Sequence, residues 1–315
     1  MRVAITCIQM IRDLDRYRPA FDAAGIECVA AEVDGQYLDG DALVAALEGC
    51  VGVVAGDDQF TATVLDRCPE LRVISKWGIG IDGIDLEAAA ARGITVTNTP
   101  RVFDDEVADV AMAYVTMLAR GLHIIDRGVH AGHWPKPAGR SLRNRTLGIV
   151  GLGGIGRALA ARAQTAGMAV LGTDPSPESA AQATALGVGV RGFDELLPAA
   201  EFLAVCCPLD ESTFHLIDVR ALRLLPAGAY LVNTGRGAVV STAAVVDALA
   251  SGHLAGVALD VMEDEPPRPG SPLRGRDDVI FGSHNGSNTT DASHRVHAMV
   301  ISNLATALGI VIERS

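Results

Sequence analysis

Short apolar runs of strand length alternate along the first hundred residues with segments whose apolar positions recur at helical spacing. Residues 2–8, 26–31, 52–55, 71–75 and 95–97 read as strands, and 42–47, 61–66 and 86–91 as helices between them. That alternation predicts a small α/β unit with a parallel sheet. A long helix over 105–120 follows, with so little polar surface that burial between domains suits it better than a membrane. From residue 142 a second α/β unit begins, with strands predicted at 146–150, 168–172, 201–206, 229–233, 256–261 and 279–281. A last helix, 291–308, lies beyond them and returns to the first unit. The expected architecture is a discontinuous substrate domain, 1–100 with 286–315, into which a nucleotide-binding domain, 101–285, is inserted. Two crossing segments would then form a hinge beside an interdomain cleft.

The most telling stretch runs from Thr146 to Asp174. A short apolar run leads into Gly151-Leu-Gly153-Gly154-Ile155-Gly156, then a helix-like segment, a second apolar run and Asp174. Strand, glycine-rich turn, helix, strand and acid make up the dinucleotide-binding fingerprint. Gly151 permits the tight turn, Gly153 lets backbone approach a pyrophosphate, and Gly156 lets helix and strand pack closely. The amides opening the helix then face the phosphates with the positive end of the helix dipole behind them. Asp174, 18 residues beyond Gly156, is placed to accept hydrogen bonds from the adenosine ribose. Its charge would repel a 2'-phosphate, and no arginine or lysine follows in Pro175-Ser-Pro-Glu178, so NAD is expected rather than NADP.

The 315 residues suffice for two domains. A net charge of -12 argues against nucleic acid or anionic membrane as a partner. The six cysteines show no metal or CxxC spacing and suit a reducing compartment. Charged residues from Arg12 on come too early for a signal peptide's apolar region. The longest apolar stretch, 110–119, is far short of the roughly 20 residues that span a bilayer. A cytoplasmic location is expected.

Ligands of open parallel sheets bind outside the carboxyl ends of the strands. After 229–232 comes Asn233-Thr234-Gly-Arg236-Gly237, whose guanidinium suits a two-pronged grip on a carboxylate. After 256–259 come Asp260 and the Glu263-Asp-Glu265 run, and after 279–281 comes Ser283-His284-Asn-Gly286. Three successive strand ends thus carry an arginine, a carboxylate and a histidine.

In these segments, and in Lys76-Trp-Gly78-Ile79-Gly80-Ile-Asp-Gly-Ile-Asp85, Asn98-Thr-Pro100 and Pro208-Leu209, the chain resembles the D-2-hydroxyacid dehydrogenases over almost its whole length. That family includes phosphoglycerate dehydrogenase and glyoxylate/hydroxypyruvate reductase. The resemblance implies a Rossmann-type domain set in a smaller flavodoxin-like α/β domain, and a homodimer built through the nucleotide domain. It implies a catalytic trio of Arg236, Glu265 and His284. His284 would be the general acid–base, with Glu265 holding the ring and favouring its protonated form. Arg236 would orient a 2-oxo acid and polarise its carbonyl. The amides of Gly78, Ile79 and Gly80, with Lys76 beside them, would take the substrate carboxylate. Gly154, Ile155, Pro208 and Thr234 would join the cofactor contacts, and Asp260 would bind the nicotinamide carboxamide.

Several positions depart from the usual family residues: Gly83, Arg101, Asp109, Met262 and Ser283. None touches the trio, but they leave substrate identity open. Lys76 and Arg101 could meet a phosphate, which Asp57, Asp58, Asp104 and Asp105 would oppose. Phosphoglycerate/phosphohydroxypyruvate and glyoxylate/hydroxypyruvate are the substrate pairs expected. The alternative is an NAD(H)-sensing corepressor of the same fold, against which stands the lack of tails or low-complexity segments. His123, His130, His133, His215 and His253 read as structural. His294 and His297, three apart on the last helix, could pair on a metal but show no carboxylate or thiol partner in the sequence, so no metal is expected.

Overall fold

A computed structural model of the chain describes residues 1–310. The chain divides into two compact units, Met1–Val102 together with the segment from Thr289 on, and Phe103–Asn288. The first unit holds β1 (Arg2–Ile5), β2 (Glu27–Ala30), β3 (Gly52–Ala55), β4 (Val73–Lys76) and β5 (Thr95–Thr97). All pair in parallel, in the flavodoxin-like order β2-β1-β3-β4-β5. Helices α1 (Ile8–Arg12), α2 (Leu14–Ala23), α3 (Gly40–Ala46), α4 (Ala62–Asp66) and α5 (Leu86–Ala91) connect them. Every residue of β3 and β4 is buried, the pattern of strands covered on both faces.

The second unit opens with α6 (Asp104–Arg120) and α7 (Leu122–His130). Its strands are β6 (Thr146–Val150), β7 (Ala169–Thr173), β8 (Gly189–Val190), β9 (Phe202–Val205), β10 (Ala229–Asn233), β11 (Leu254–Leu259) and β12 (Val279–Phe281). Between them lie α8 (Gly154–Thr165), α9 (Pro177–Ala185), α10 (Phe193–Leu196), α11 (Val219–Leu224) and α12 (Thr242–Ala250). The strands form one parallel sheet in the order β12-β11-β10-β9-β6-β7-β8, a Rossmann arrangement whose direction reverses between β6 and β9. Apolar clusters cover both faces of this sheet. Helix α6 lies in one of them, contributing Ala108, Ala111, Val115 and Leu118. Arg162 of α8 pins it there through Asp105 (3.0 Å) and Asp109 (2.6 Å). No single described helix is long and apolar enough to cross a membrane; only α6 and α7 together are, and they bend by 72° at Gly121.

The predicted strand over 2–8 stops at Ile5, and the apolar run continues as α1. A short apolar run carries no period that separates strand from helix, so the expected boundary falls too late. The last helix, α13 (Thr290–Ala307), belongs to the first unit, its start capped by the Thr289 hydroxyl. Its buried Val300 and Leu304 lie on the sheet, with Ser75 Oγ donating to Val300 O (3.0 Å) and Asn303 Nδ2 to Asn98 O (3.0 Å). Leu304 fits against the bare α-carbon of Gly52, where a Cβ would stand 3.0 Å from its Cδ1. Leu304→Ala should therefore cost about 2–5 kcal/mol of stability. Urea unfolding followed by circular dichroism checks this, with an unshifted midpoint the contrary result.

Candidate active site

In a parallel sheet every carboxyl end lies along one edge, so the residues after β12, β11, β10, β9, β6 and β7 form a row. In that order they bring His284, Asp260 with Glu265, Arg236, Pro208, the glycine turn and Asp174. Gly151 has a φ of +95°, and a Cβ there would stand 2.7 Å from Cys207 N, so only glycine fits. Gly156 is equally constrained, since a Cβ would overlap Gly151 O. Gly153 is the exception: a Cβ there would meet nothing within 4 Å. At Gly154, the first residue of α8, the Asp104 carboxylate stands so close that a Cβ would overlap it, and the N-cap Gly153 has no side chain with which to cap the helix. A turn bare of side chains at Gly153, leading into a helix start, is what a pyrophosphate needs, so these residues fit NAD. Asp174 braces the turn, accepting from Leu152 N (2.7 Å) with one oxygen and from Ser176 N (2.8 Å) with the other. Ile155 lies in the first turn of α8, while Thr234 is buried at the end of β10 with its hydroxyl on Val205 O (3.4 Å).

The arginine loop is held from beneath by Asn233. Its Oδ1 accepts from Gly235 N (3.1 Å) and its Nδ2 donates to Arg236 O (3.0 Å), fixing both sides of the turn. Gly237 packs so closely on the Met262 carbonyl that a Cβ would overlap it, which seats the arginine loop against the one carrying Glu265. Arg236 itself donates from one guanidinium nitrogen to Gly235 O (2.9 Å).

Glu265 and His284 meet across the sheet edge: His284 Nδ1 lies 2.8 Å from Glu265 Oε2. The other carboxylate oxygen accepts from Met262 N (2.8 Å), so the acid is fixed at both ends. His284 has a φ of 53°, a left-handed conformation uncommon outside glycine. Its amide donates to Asp260 O (2.7 Å). The buried Asp260 carboxylate takes Gly286 N (2.9 Å), Asn285 N (3.4 Å) and the Tyr114 hydroxyl (3.2 Å). Burial and the adjoining Asp260 charge push the Tyr114 phenol well above its usual pKa, keeping it a donor. Tyr114, in the middle of α6, carries no signal in the sequence, and Asn233 opens the quoted arginine segment without its bracing role being legible there.

Glu263 points elsewhere, to His215 Nε2 (2.5 Å) and Thr242 N (2.6 Å), and these bonds lower its pKa despite partial burial. The thiols of Cys206 and Cys207, behind the glycine turn, are pushed by burial to about 12 and about 11, and so stay protonated.

In the first unit, Lys76 ends β4 with its ammonium nearly buried, donating to Asp57 Oδ1 (3.0 Å) and Trp77 O (2.8 Å). The turn that follows is strapped by Asn98 and Thr99. Asn98 Nδ2 donates to Ile79 O (2.7 Å), and Gly78 N donates to Thr99 Oγ1 (3.1 Å). Asp58 is fully engaged by Thr6 Oγ1, Leu38 N and Gly56 N, and burial raises its pKa.

The sequence model of the D-isomer specific 2-hydroxyacid dehydrogenase NAD binding domain matches residues 112–286. The glyoxylate reductase of Thermofilum pendens is 37% identical over 257 residues, covering 80% of this chain and 76% of that protein. The D-3-phosphoglycerate dehydrogenase of Homo sapiens is 37% identical over 268 residues, 84% of this chain but 50% of the human protein. The chain belongs to the D-isomer specific 2-hydroxyacid dehydrogenase family. By that membership it is an NAD-dependent oxidoreductase, and the Phe103–Asn288 unit carries its NAD-binding domain. The fold agrees. The D-lactate dehydrogenase of Aquifex aeolicus, solved with NAD and lactic acid, superposes with a TM-score of 0.85 at 24% identity over 100% of both chains. A solved protein of Thermus thermophilus does so at 0.83 with 33% identity, over 98% of this chain and 97% of that one.

The contacts of Asp260 suit an anchor for the His284 loop. Asp260→Ala should therefore lower kcat by about 100-fold, the cost of a misplaced catalytic group, with NADH affinity nearly unchanged. Steady-state rates with fluorescence titration of NADH separate the possibilities. Weakened NADH binding with turnover kept would mark Asp260 as a cofactor contact instead.

Proposed function

We propose that this dehydrogenase interconverts a small, unphosphorylated 2-oxo acid, of the size of glyoxylate or hydroxypyruvate, and its D-2-hydroxy acid. The observation that carries the reading is the His284–Glu265 pair at the same sheet edge as the arginine loop and the glycine turn. When bound, NADH supplies the hydride that reduces the carbonyl carbon. With Nδ1 turned to Glu265, His284 has Nε2 to give the proton to the carbonyl oxygen, and the same atom takes it back in the reverse direction. Glu265 fixes the ring and balances its charge while it is protonated. Arg236 grips the substrate carboxylate and polarises the carbonyl. The amides of Ile79 and Gly80 are read as further contacts of the substrate carboxylate, that of Gly78 being engaged by Thr99. Gly151, Gly153, Gly154, Ile155 and Gly156 take the pyrophosphate, Asp174 the adenosine ribose, and Pro208 and Thr234 line the space beside them.

The pairing of Lys76 supports the unphosphorylated reading. Its charge is already offset by Asp57 and its third donor position is close to Gly78, whose Cβ would lie 3.3 Å from Nζ. An added phosphate would meet the Asp57 carboxylate as well as the ammonium. The reading includes a homodimer through the second unit. Helix α7 has no buried residue, and it exposes Leu122 and Val129 near Trp134, itself 77% exposed, an apolar surface suited to a second copy of this chain.

NADH oxidation with glyoxylate, hydroxypyruvate, pyruvate and phosphohydroxypyruvate tests the reading, with higher kcat/KM expected for the unphosphorylated acids. His284→Ala should lower turnover by roughly 10²–10⁴-fold while NADH still binds. No oxidation with any 2-oxo acid, or an unimpaired His284→Ala enzyme, would reject it. Asp57→Asn should raise kcat/KM for phosphohydroxypyruvate relative to hydroxypyruvate roughly fivefold, the effect of about 1 kcal/mol from one partly exposed charge. An unchanged ratio would remove Asp57 from substrate selection.

A further inference from the structure

We propose that Asp13, His294 and His297 bind one divalent transition-metal ion, Zn²⁺ foremost, clasping α13 to the corner between α1 and α2. The third ligand comes from the fold of the first unit, not from the helix that carries the two histidines. Asp13 sits at the corner itself, closing α1 and opening α2. His294 and His297, three apart, lie on one face of α13. One donor atom from each of the three residues lies within 4.8 Å of the others. Tetrahedral N and O donors about 2.0–2.2 Å from Zn²⁺ are roughly 3.4 Å apart, so rotamer adjustment of about 1 Å closes the site.

His297 points to a ligand independently. Its side chain is fully buried, and neither ring nitrogen has a hydrogen-bond partner among the described residues. Asp13 Oδ2 stands 3.6 Å from Nδ1, too far for a hydrogen bond but on the correct side for a shared ion. A buried imidazole with both nitrogens unsatisfied is costly, and coordination removes that cost. Burial drives its pKa down to about 4, so the ring is neutral at pH 7 with a lone pair to donate. The ring is held edge-on by Tyr17 at 4.9 Å between centroids, with Trp77 at 6.0 Å.

The surroundings of His294 complete the set. Tyr17 Oη lies 2.9 Å from Nδ1 and a guanidinium nitrogen of Arg16 lies 2.9 Å from Nε2. Arg16 is exposed and turns to solvent when an ion takes its place. Tyr17 then remains on the far nitrogen, the outer partner that metal-bound imidazoles ordinarily have. Two imidazoles and one carboxylate suit Zn²⁺ with water in the fourth position.

The test is equilibrium dialysis of the full chain against Zn²⁺ with metal analysis, alongside thermal melting and Co²⁺ quenching of Trp77 emission. One ion per chain, a raised Tm and quenched emission are expected. His294→Gln and Asp13→Asn should each weaken binding at least about 100-fold and abolish the quench. NADH-driven turnover, which uses neither residue, reports that each variant is folded; should one fail to fold, the other decides. Absence of Zn²⁺ uptake would leave His297 as a packed neutral imidazole and overturn the proposal. Equal uptake by the folded variants would overturn it too, placing the ion at the cysteines or at His284.

Discussion

One desolvated carboxylate, Asp260, governs the active edge. Its main chain takes the amide of His284 and gives its own amide to Asn233 O (3.0 Å), while its oxygens gather Tyr114 and the amides of Asn285 and Gly286. An anion removed from water must be satisfied nearly completely. The chain leaving β12 therefore wraps around it, and Gly282 must lack a side chain, because a Cβ there would overlap the carboxylate. The wrapping forces His284 into its left-handed backbone conformation, and that conformation turns Nδ1 toward Glu265. Strain at His284 is here the local cost of satisfying its neighbour.

The two units treat charge differently. In the second, carboxylates are fixed by amides and so keep geometry: Asp174 on the glycine turn, Glu265 on Met262 N, Asp260 on the histidine loop. In the first, a carboxylate is fixed by a cation instead, with the nearly buried Lys76 ammonium balanced by Asp57.

Both sheets were legible in the sequence because parallel strands buried on both faces are near-continuous apolar runs, and the glycine turn marks the central strand. That Arg236, Glu265 and His284 follow strand ends of one sheet was legible because such sheets put their carboxyl ends along one edge. What could not be read was which partners meet. Asp260 and Tyr114 are 146 residues apart, and Lys76 ends β4 while Asp57 lies just past the end of β3, so the pairing of those strands must be known first. His294 and His297 lacked a carboxylate in the sequence because Asp13 reaches them only once α13 has crossed back to the first sheet. The missed start of α1 has the opposite origin: it is purely local, and five residues hold too little period to declare a helix.

That return of α13 sets an order of events for the growing chain. The face of β3, β4 and β5 that receives Val300 and Leu304 is synthesised long before those side chains exist. While the ribosome makes the whole nucleotide-binding unit, this apolar face has no covering helix of its own. The inserted unit, continuous in sequence, is free to fold first, and the amino-terminal sheet is sealed last.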